Sequence, residues 1–360
     1  MILVLNAGSS SLKYKLFSIE KKVIFKDSYN NLRKRTDFIK ALKNIKLTLD
    51  YKTKKYLPVD LIAHRVVHGG DLESPFLISN RAEFLKIEKF NRLAPLHNPV
   101  ALTVIKESQK IFKNAKQVAV FDNAFFRELP EISQTLPINQ KVARRLKIHR
   151  YGFHGISHRY VANQVDPENK LKIISIHLGA GSSMTAIDRG KPLETSMSFT
   201  PSDGLMMQTR SGALDPGIIF YLIRELGINR AEDLILKHSG IAGLAEEADI
   251  KTVIYNAGFR VEDPTFYQKV HRRPDADTQK NSRLALDKFV YEIRKYLAAY
   301  DIVLNGANII AFTGQVGFGS SLIRRRIIKD FHQFKNKKFA IIEPNEELAI
   351  AEEVIKKGYL

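Results

Sequence analysis

Several side chains in this 360-residue chain carry charge where charge is hard to place without a purpose. Arg65 interrupts an apolar run, Leu61 to Val67, and a charge inside a buried strand is costly unless it is paired or faces a site. Asp122 closes a second run, Val118 to Phe121, at the strand end where α/β proteins commonly place ligand-binding carboxylates. His154 stands in Tyr151-Gly152-Phe153-His154-Gly155, whose small neighbours leave an imidazole accessible. Arg210 lies in Gln208-Thr209-Arg210-Ser211-Gly212, the centre of a stretch from Glu194 to Gly217 that has no clean periodicity. Long irregular stretches in compact chains are usually functional. Each residue also has a plainer reading: a satisfied ion pair for Arg65, a structural imidazole for His154.

Anion handling is also written into two Gly-Ser tips. Ile2 to Leu5 are apolar, Asn6 to Ser11 supply Gly and Ser, and Leu12, Tyr14 and Leu16 then alternate with Lys13 and Lys15, which predicts a β-hairpin with a polar tip. Backbone N–H groups, hydroxyls, the Asn6 amide and the Lys13 ammonium can gather there around a phosphate, because Gly8 has no side chain in the way. LNAGSS at Leu5 to Ser10 is echoed by LGAGSS at Leu178 to Ser183, after the apolar run from Ile173 and before Met184, Ala186 and Ile187. Two strand–tip–strand units suggest two similar domains facing each other across a cleft, although Gly-Ser turns join many ordinary hairpins. A third element, the strand Ile309 to Thr313 feeding a loop over Gly314 to Ser321 that opens a helix from Leu322 to His332, has the form of a nucleotide-binding element.

The elements that must position these groups read as alternating α/β. Strands are expected at Lys22 to Lys26 and Phe339 to Ile342. Helices are expected at Asp37 to Ile45, Ala82 to Arg92, Val100 to Phe112, Asn139 to Leu146, Ile218 to Glu225, Ala231 to His238 and Asn345 to Lys357, with one long helix from Ser282 to Leu304. Asp50 to Pro58 and His149 to His158 read as loops. The length suits two domains of conventional size. With 44% apolar and 26% charged residues, and no apolar run near the about eighteen needed to span a bilayer, the chain reads as globular, cytoplasmic and without a membrane partner. Cys at zero excludes disulfides, a thiol nucleophile and Cys-based metal sites. Any metal would sit on oxygen or imidazole ligands, which favours Mg²⁺ beside phosphate. The excess of 57 Lys+Arg over 38 Asp+Glu, +19, fits an enzyme of anionic ligands. No nucleic-acid module accompanies it, so no specific nucleic-acid partner is expected.

In this order the segments resemble an acetate kinase, of the acetate and sugar kinase, heat-shock ATPase and actin superfamily. The matching motifs are NAGSSSLKY at Asn6, HRVVHGG at His64, LAPLHNP at Leu93, FDNAF at Phe121, YGFHGISH at Tyr151, ETSMSFTP at Glu194, TRSGALDPG at Thr209 and PNEELAIA at Pro344. The resemblance implies two ribonuclease-H-like (actin-like ATPase) α/β domains around a central cleft, one over 1–123 completed by 347–360 and one over 124–346. It implies reversible in-line phosphoryl transfer from ATP to acetate, giving ADP and acetyl phosphate, in a homodimer, with the long helix from Ser282 a candidate for packing near its interface. Asn6 and Glu346 would hold Mg²⁺ or Mn²⁺. Ser9, Ser11 and Lys13 would line the phosphate path, with His177, Gly179 and Gly181 on the second domain's phosphate track. Asp249, Gly314, Gln315 and Gly317 would face the nucleotide. Arg65 and Arg210 would clamp the carboxylate and the transferring phosphoryl group, Asp122 would orient Arg65 or metal-bound water, and His154 would donate to phosphoryl oxygens. Val67, Leu96, Phe153 and Pro201 match the small acyl pocket. Acetate is already ionised at neutral pH, so the chemistry reduces to positioning two anions and neutralising charge.

Departures from the family cluster on the nucleotide side. FDTAFH reads FDNAFF, with Phe126 for histidine, HLGNG reads HLGAG at Ala180, and MGTR reads MQTR at Gln208. GGIGENS reads GQVGFGS, with Gln315, Phe318 and Gly319 replacing glycine, glutamate and asparagine, and Asp249-Ile250-Lys251 matches the adenosine-contacting segment loosely. A side chain at Gln315 would take up space that the base and ribose need. An alternative is therefore a pyrophosphate- or phosphate-dependent acetate kinase with a closed adenosine pocket. A catalytically silent binding relative is disfavoured by retention of Asn6, Arg65, Asp122, His154, Arg210 and Glu346.

Overall fold

The computed structural model describes residues 1–8, 10–52, 58–268, 273–329 and 337–359. Its contacts divide the chain into unit 1, comprising Met1–Arg127, Phe153–Tyr160 and Asn345–Leu360, and unit 2, comprising Glu128–Gly152 and Val161–Pro344. Phe153–Tyr160, which the sequence boundaries assign to the second domain, thus packs with the first.

Unit 1 is built on β1 (Ile2–Ala7), β2 (Ser11–Phe17), β3 (Val23–Asn30), β4 (Leu61–Val66), β5 (Phe76–Leu77) and β6 (Lys116–Phe121) in the order β3-β2-β1-β4-β6-β5. The first three strands form an antiparallel meander, and β4 and β6 add in parallel to β1. Side chains alternate between faces with period two. Leu3, Leu5, Tyr14 and Leu16 pack on the helices Arg35–Lys52 and Asn98–Ile111 through Phe38, Leu42, Ile45 and Val104. Ile2, Val4, Ala63, Val118 and Val120 pack on the helix Glu346–Lys356 through Ile350, Ala351 and Val354. That second face carries the site.

Unit 2 repeats the plan with β7 (Lys172–Leu178), β8 (Ser182–Asp188), β9 (Lys191–Thr195), β10 (Ile309–Thr313) and β11 (Lys338–Ile341), ordered β11-β10-β7-β8-β9. Again an antiparallel meander leads, and two parallel strands follow. Its core joins Ile174, Ile176 and Met184 of the sheet to Leu286, Phe289 and Ile293 of the helix Ala276–Val303. Residues 5–8 and 178–181 of the two echoed segments lead out of the first strand of each sheet's meander, so the repeat expected from them is real at the level of topology.

Several boundaries move for identifiable reasons. The long helix begins at Ala276 rather than Ser282, because Asp275 accepts a capping bond from the Thr278 N–H at 2.8 Å. The expected loop His149 to His158 gives way at Gly155 to the helix Gly155–Val165. The glycine loop after β10 is itself a short helix, Gly314–Gly319, entered through Gly314 at φ +78°. Arg324 Nη1 donates to its terminal Gly317 carbonyl at 2.8 Å. The next helix, Ser321–Ile328, spends its Ser321 and Leu322 N–H groups on the Glu262 carboxylate at 3.0 and 3.2 Å. It is therefore not the phosphate-facing helix start that the sequence pattern predicts. The rest of the segment expected to extend to His332, from residue 330, lies outside the described residues, as do 53–57 of the loop expected at Asp50 to Pro58.

Candidate active site

Strand periodicity assembles the unit 1 site. Asn6 follows Ile2 and Val4 on one face of β1, Arg65 follows Ala63 on β4, and Asp122 follows Val118 and Val120 just beyond β6. Each polar residue extends an apolar row toward the same sheet end, where the helix Glu346–Lys356 begins. Arg65 Nε donates to the two Asp122 oxygens at 3.1 and 3.2 Å, and Nη2 donates to Oδ2 at 2.7 Å. Its Nη1 donates to Asn6 Oδ1 at 3.2 Å and pairs with Glu346 at 3.3 Å. The Asn6 amide donates to Glu346 Oε2 at 3.0 Å and to Glu347 Oε1 at 2.8 Å. Burial alone would make the Arg65 guanidinium easier to deprotonate, but Asp122 and Glu346 reverse that and hold it cationic. Burial pushes the Asp122 carboxyl up, and Arg65 pulls it back.

Two members of this cluster, Lys15 and Glu347, were not assigned roles from sequence. Lys15 Nζ donates to Asn345 Oδ1 at 2.6 Å and pairs with Glu347 at 3.2 Å. Two residues after Lys13 on β2, it shares a face with Lys13 and lies opposite Val4. Lys13 itself is exposed, opposite Asn6. Ser11 offers its carbonyl to the Gly8 N–H at 2.8 Å, closing the tip. Ser9 lies outside the described residues.

His154 precedes the helix Gly155–Val165 with φ +57°, a left-handed backbone uncommon for a residue with a side chain. The Gly155 N–H donates to the Asp122 carbonyl at 2.8 Å, and a Cβ on Gly155 would come within 2.2 Å of that oxygen. A glycine is thus required directly after His154, where the backbone is tied to Asp122. Among the acyl-pocket residues, Phe153 is fully buried with its ring 5.2 Å from that of His68; Val67 is also buried, and Leu96 is half-buried. Phe126, where the family pattern has histidine, is a core residue against Phe125 and His158.

In unit 2 the irregular segment around Arg210 is held by backbone bonds to the turn before the helix Gly240–Ala245 and to its first residues. Ser239 donates to Thr209, Ile241 to Met207 and Ala242 to Gln208, at 3.0, 2.9 and 2.8 Å. Gly240, at φ +65°, permits this approach, since a Cβ there would lie 2.6 Å from the Arg210 carbonyl. Arg210 is 9% exposed, and Nη1 donates to the Pro201 carbonyl at 2.6 Å. Among the described residues it forms no ion pair, and burial pushes its pKa down to about 10. The Gln208 N–H reaches Ala180 at 3.3 Å, joining this segment to the Gly179–Gly181 turn, while a Cβ on Gly314 would lie 2.4 Å from the Leu178 carbonyl. His177, buried at the end of β7, pairs in register with Thr313. Unit 2 therefore gathers Gly179, Gly181, Pro201, Arg210 and Gly314. Asp249 is instead the N-cap of the helix Ile250–Asn256, accepting from the Thr252 N–H at 3.0 Å, and Gln315 is exposed while Gly317 is buried.

A family model described as the acetokinase family matches residues 22–338. The acetate kinase of Carboxydothermus hydrogenoformans is 32% identical over 99% of this chain and 98% of its own length. That of Thermosipho africanus is 34% identical over the same shares. Among solved structures, an acetate kinase from Porphyromonas gingivalis matches with a TM-score of 0.80 at 28% identity, covering 99% of this chain and 98% of that one. A propionate kinase from Francisella tularensis matches with 0.81 at 32% identity, covering 98% of each. These matches bear out the two-domain actin-like ATPase fold and lend no support to the pyrophosphate-dependent alternative. Motifs, duplicated sheets and relatives matched along nearly their whole length agree: the chain belongs to the acetokinase family.

Proposed function

We propose that this protein is an acetate kinase, transferring the terminal phosphoryl group of ATP in line to acetate and, in reverse, from acetyl phosphate to ADP. The observation that carries the reading is Arg210: a buried guanidinium without a carboxylate partner among the described residues, held only by the Pro201 carbonyl. Burying an unpaired charge is costly, and an anionic substrate supplies the missing partner. Arg65, held cationic and oriented by Asp122, serves the second anion, and His154 donates a hydrogen bond to the transferring group. No side chain needs to remove a proton, because the acceptor carboxylate is already ionised.

Among the described residues no group of three acidic, His or Cys side chains could hold a metal unaided. The oxygen donors of Asn6 and Glu346 nevertheless fit Mg²⁺, which binds through one or two carboxylates together with substrate phosphates. When bound there, the ion would neutralise phosphate charge. Acetate is the expected acceptor and propionate the next, since a methylene changes recognition by only about 1–3 kcal/mol.

A cytoplasmic homodimer completes the reading. No helix among the described residues is long and apolar enough to cross a membrane. The helix Pro216–Leu226 buries none of its residues while exposing Ile218, Phe220 and Tyr221, an apolar face suited to a second copy.

The test is acetyl phosphate formation from acetate and Mg²⁺ with ATP and, in parallel, with pyrophosphate. Turnover with ATP is expected. Turnover with pyrophosphate alone, or with neither donor, would overturn the reading.

A further inference from the structure

A cavity of about 710 Å³ opens in unit 1 beside β5 and the start of β6, and none of the site residues described above lines it. Two helices each turn one stripe toward it. Arg81, Phe84 and Leu85 come from the helix Arg81–Glu88, and Lys106, Gln109 and Lys113 come from Asn98–Ile111 and the residues just after it. Positions three and four apart share a helix face, so both sets point the same way for the same reason. The first wall is fixed by a capping box between Asn80 and Glu83.

The lining separates into an apolar floor and a cationic rim. Leu77, Ile78 and Phe112 join Phe84 and Leu85 to make the apolar part, and Leu85 is 39% exposed there. Four cations, Arg81, Lys106, Lys113 and Lys116, face a single carboxylate, Glu88. Arg81, Lys106 and Lys113 form no salt bridge among the described residues, whereas Lys116 donates to the Tyr359 carbonyl at 2.9 Å. The volume is that of a small-ligand pocket, with apolar walls and a few convergent polar groups. An apolar body with one negative end satisfies both parts; a neutral lipid leaves the rim unused, and a short anion leaves the floor exposed.

We propose that this cavity binds a medium-chain carboxylate, its alkyl chain on the floor and its head group on Lys106 and Lys113. The cavity also touches the strand pair that carries the site. Gln117 lines it, and the Gln117 Oε1 lies 2.8 Å from Nε2 of buried His64, the residue before Arg65.

Calorimetric titration of the full-length protein with decanoate tests the proposal, with decanol and acetate as comparison ligands. Saturable binding of decanoate at one site is expected, with decanol and acetate weaker by at least about tenfold. The double variant Lys106→Glu/Lys113→Glu should lose at least about tenfold in affinity, and Lys106→Met/Lys113→Met gives the same comparison without charge reversal. Thermal midpoints and acetyl phosphate synthesis, measured on the same samples, report folding and the proposed activity separately. Absence of saturable decanoate binding, equal binding of decanol, or unchanged affinity in a folded variant would each overturn the assignment.

Discussion

Replacing Arg210 with methionine should make the protein more stable and nearly inactive. Arg210 is 9% exposed, and burial pushes its pKa well below that of a free guanidinium, down to about 10. Because a pKa unit corresponds to about 1.36 kcal/mol, the folded state carries a penalty of about 3 kcal/mol for holding this charge. The penalty is fully present below about pH 10 and is relieved only as the pH rises from there toward the ordinary arginine value, so at neutral pH it is undiminished. Methionine keeps much of the aliphatic volume but loses the bond to Pro201, worth about 1 kcal/mol. The balance favours the variant by about 2 kcal/mol. For a domain of this size that is a rise of about 4–8 °C in thermal midpoint, measurable by calorimetry. Loss of a positioned cation should lower kcat/KM for acetyl phosphate formation by about 10²–10³-fold. Acetyl phosphate should raise the midpoint of the wild type and not that of the variant. A variant that melts several degrees lower, or that keeps activity within tenfold, would refute the view that Arg210 is held uncompensated for an anion.

Three other residues allow independent checks. Lys15→Met breaks the pair with Glu347 that supports Asn6 and should raise the Mg²⁺ concentration for half-maximal activity about 10-fold or more. Titration of Mg²⁺ at saturating substrate measures this, and restoration by Lys15→Arg separates charge from packing. Gly155→Ala forces a Cβ to within 2.2 Å of the Asp122 carbonyl. It should cost about 1–3 kcal/mol in urea unfolding while lowering turnover, because Asp122 cannot shift without moving Arg65. His64 is buried beside Gln117, with its pKa lowered by burial from 6.5 to about 4. A group depressed on folding contributes stability that is lost as the pH falls, here between about 6.5 and 4, in all about 3 kcal/mol. His64→Gln should flatten that part of the stability profile, and an unchanged slope would contradict the assignment.

Most of the site-bearing strands were legible because local composition dictates them. Apolar runs ending in Gly-Ser turns read as strands leading into tight tips, and Arg65 and Asp122 were conspicuous because a charge at the end of an apolar run needs a partner or a ligand. The duplicated tips also announced a duplicated topology. What remained hidden depends on residues far apart in the chain. Lys15 looked like an ordinary solvated lysine until the helix beginning at Glu346 packed over its face of the sheet. The glycine-rich segment after β10 read as a loop because glycine lowers helix propensity. It is helical because Gly314 turns sharply against Leu178 and Arg324 takes up a terminal carbonyl. His149 to His158 read as a loop for want of a visible helix start, since the break lies in the left-handed backbone of His154 and in a close approach to Asp122. Local pattern decides which segments are strands and which residues are too polar for their surroundings. Whether a given arginine is paired, as Arg65 is, or left waiting, as Arg210 is, depends on distant carboxylates, and only the tertiary structure decides where those fall.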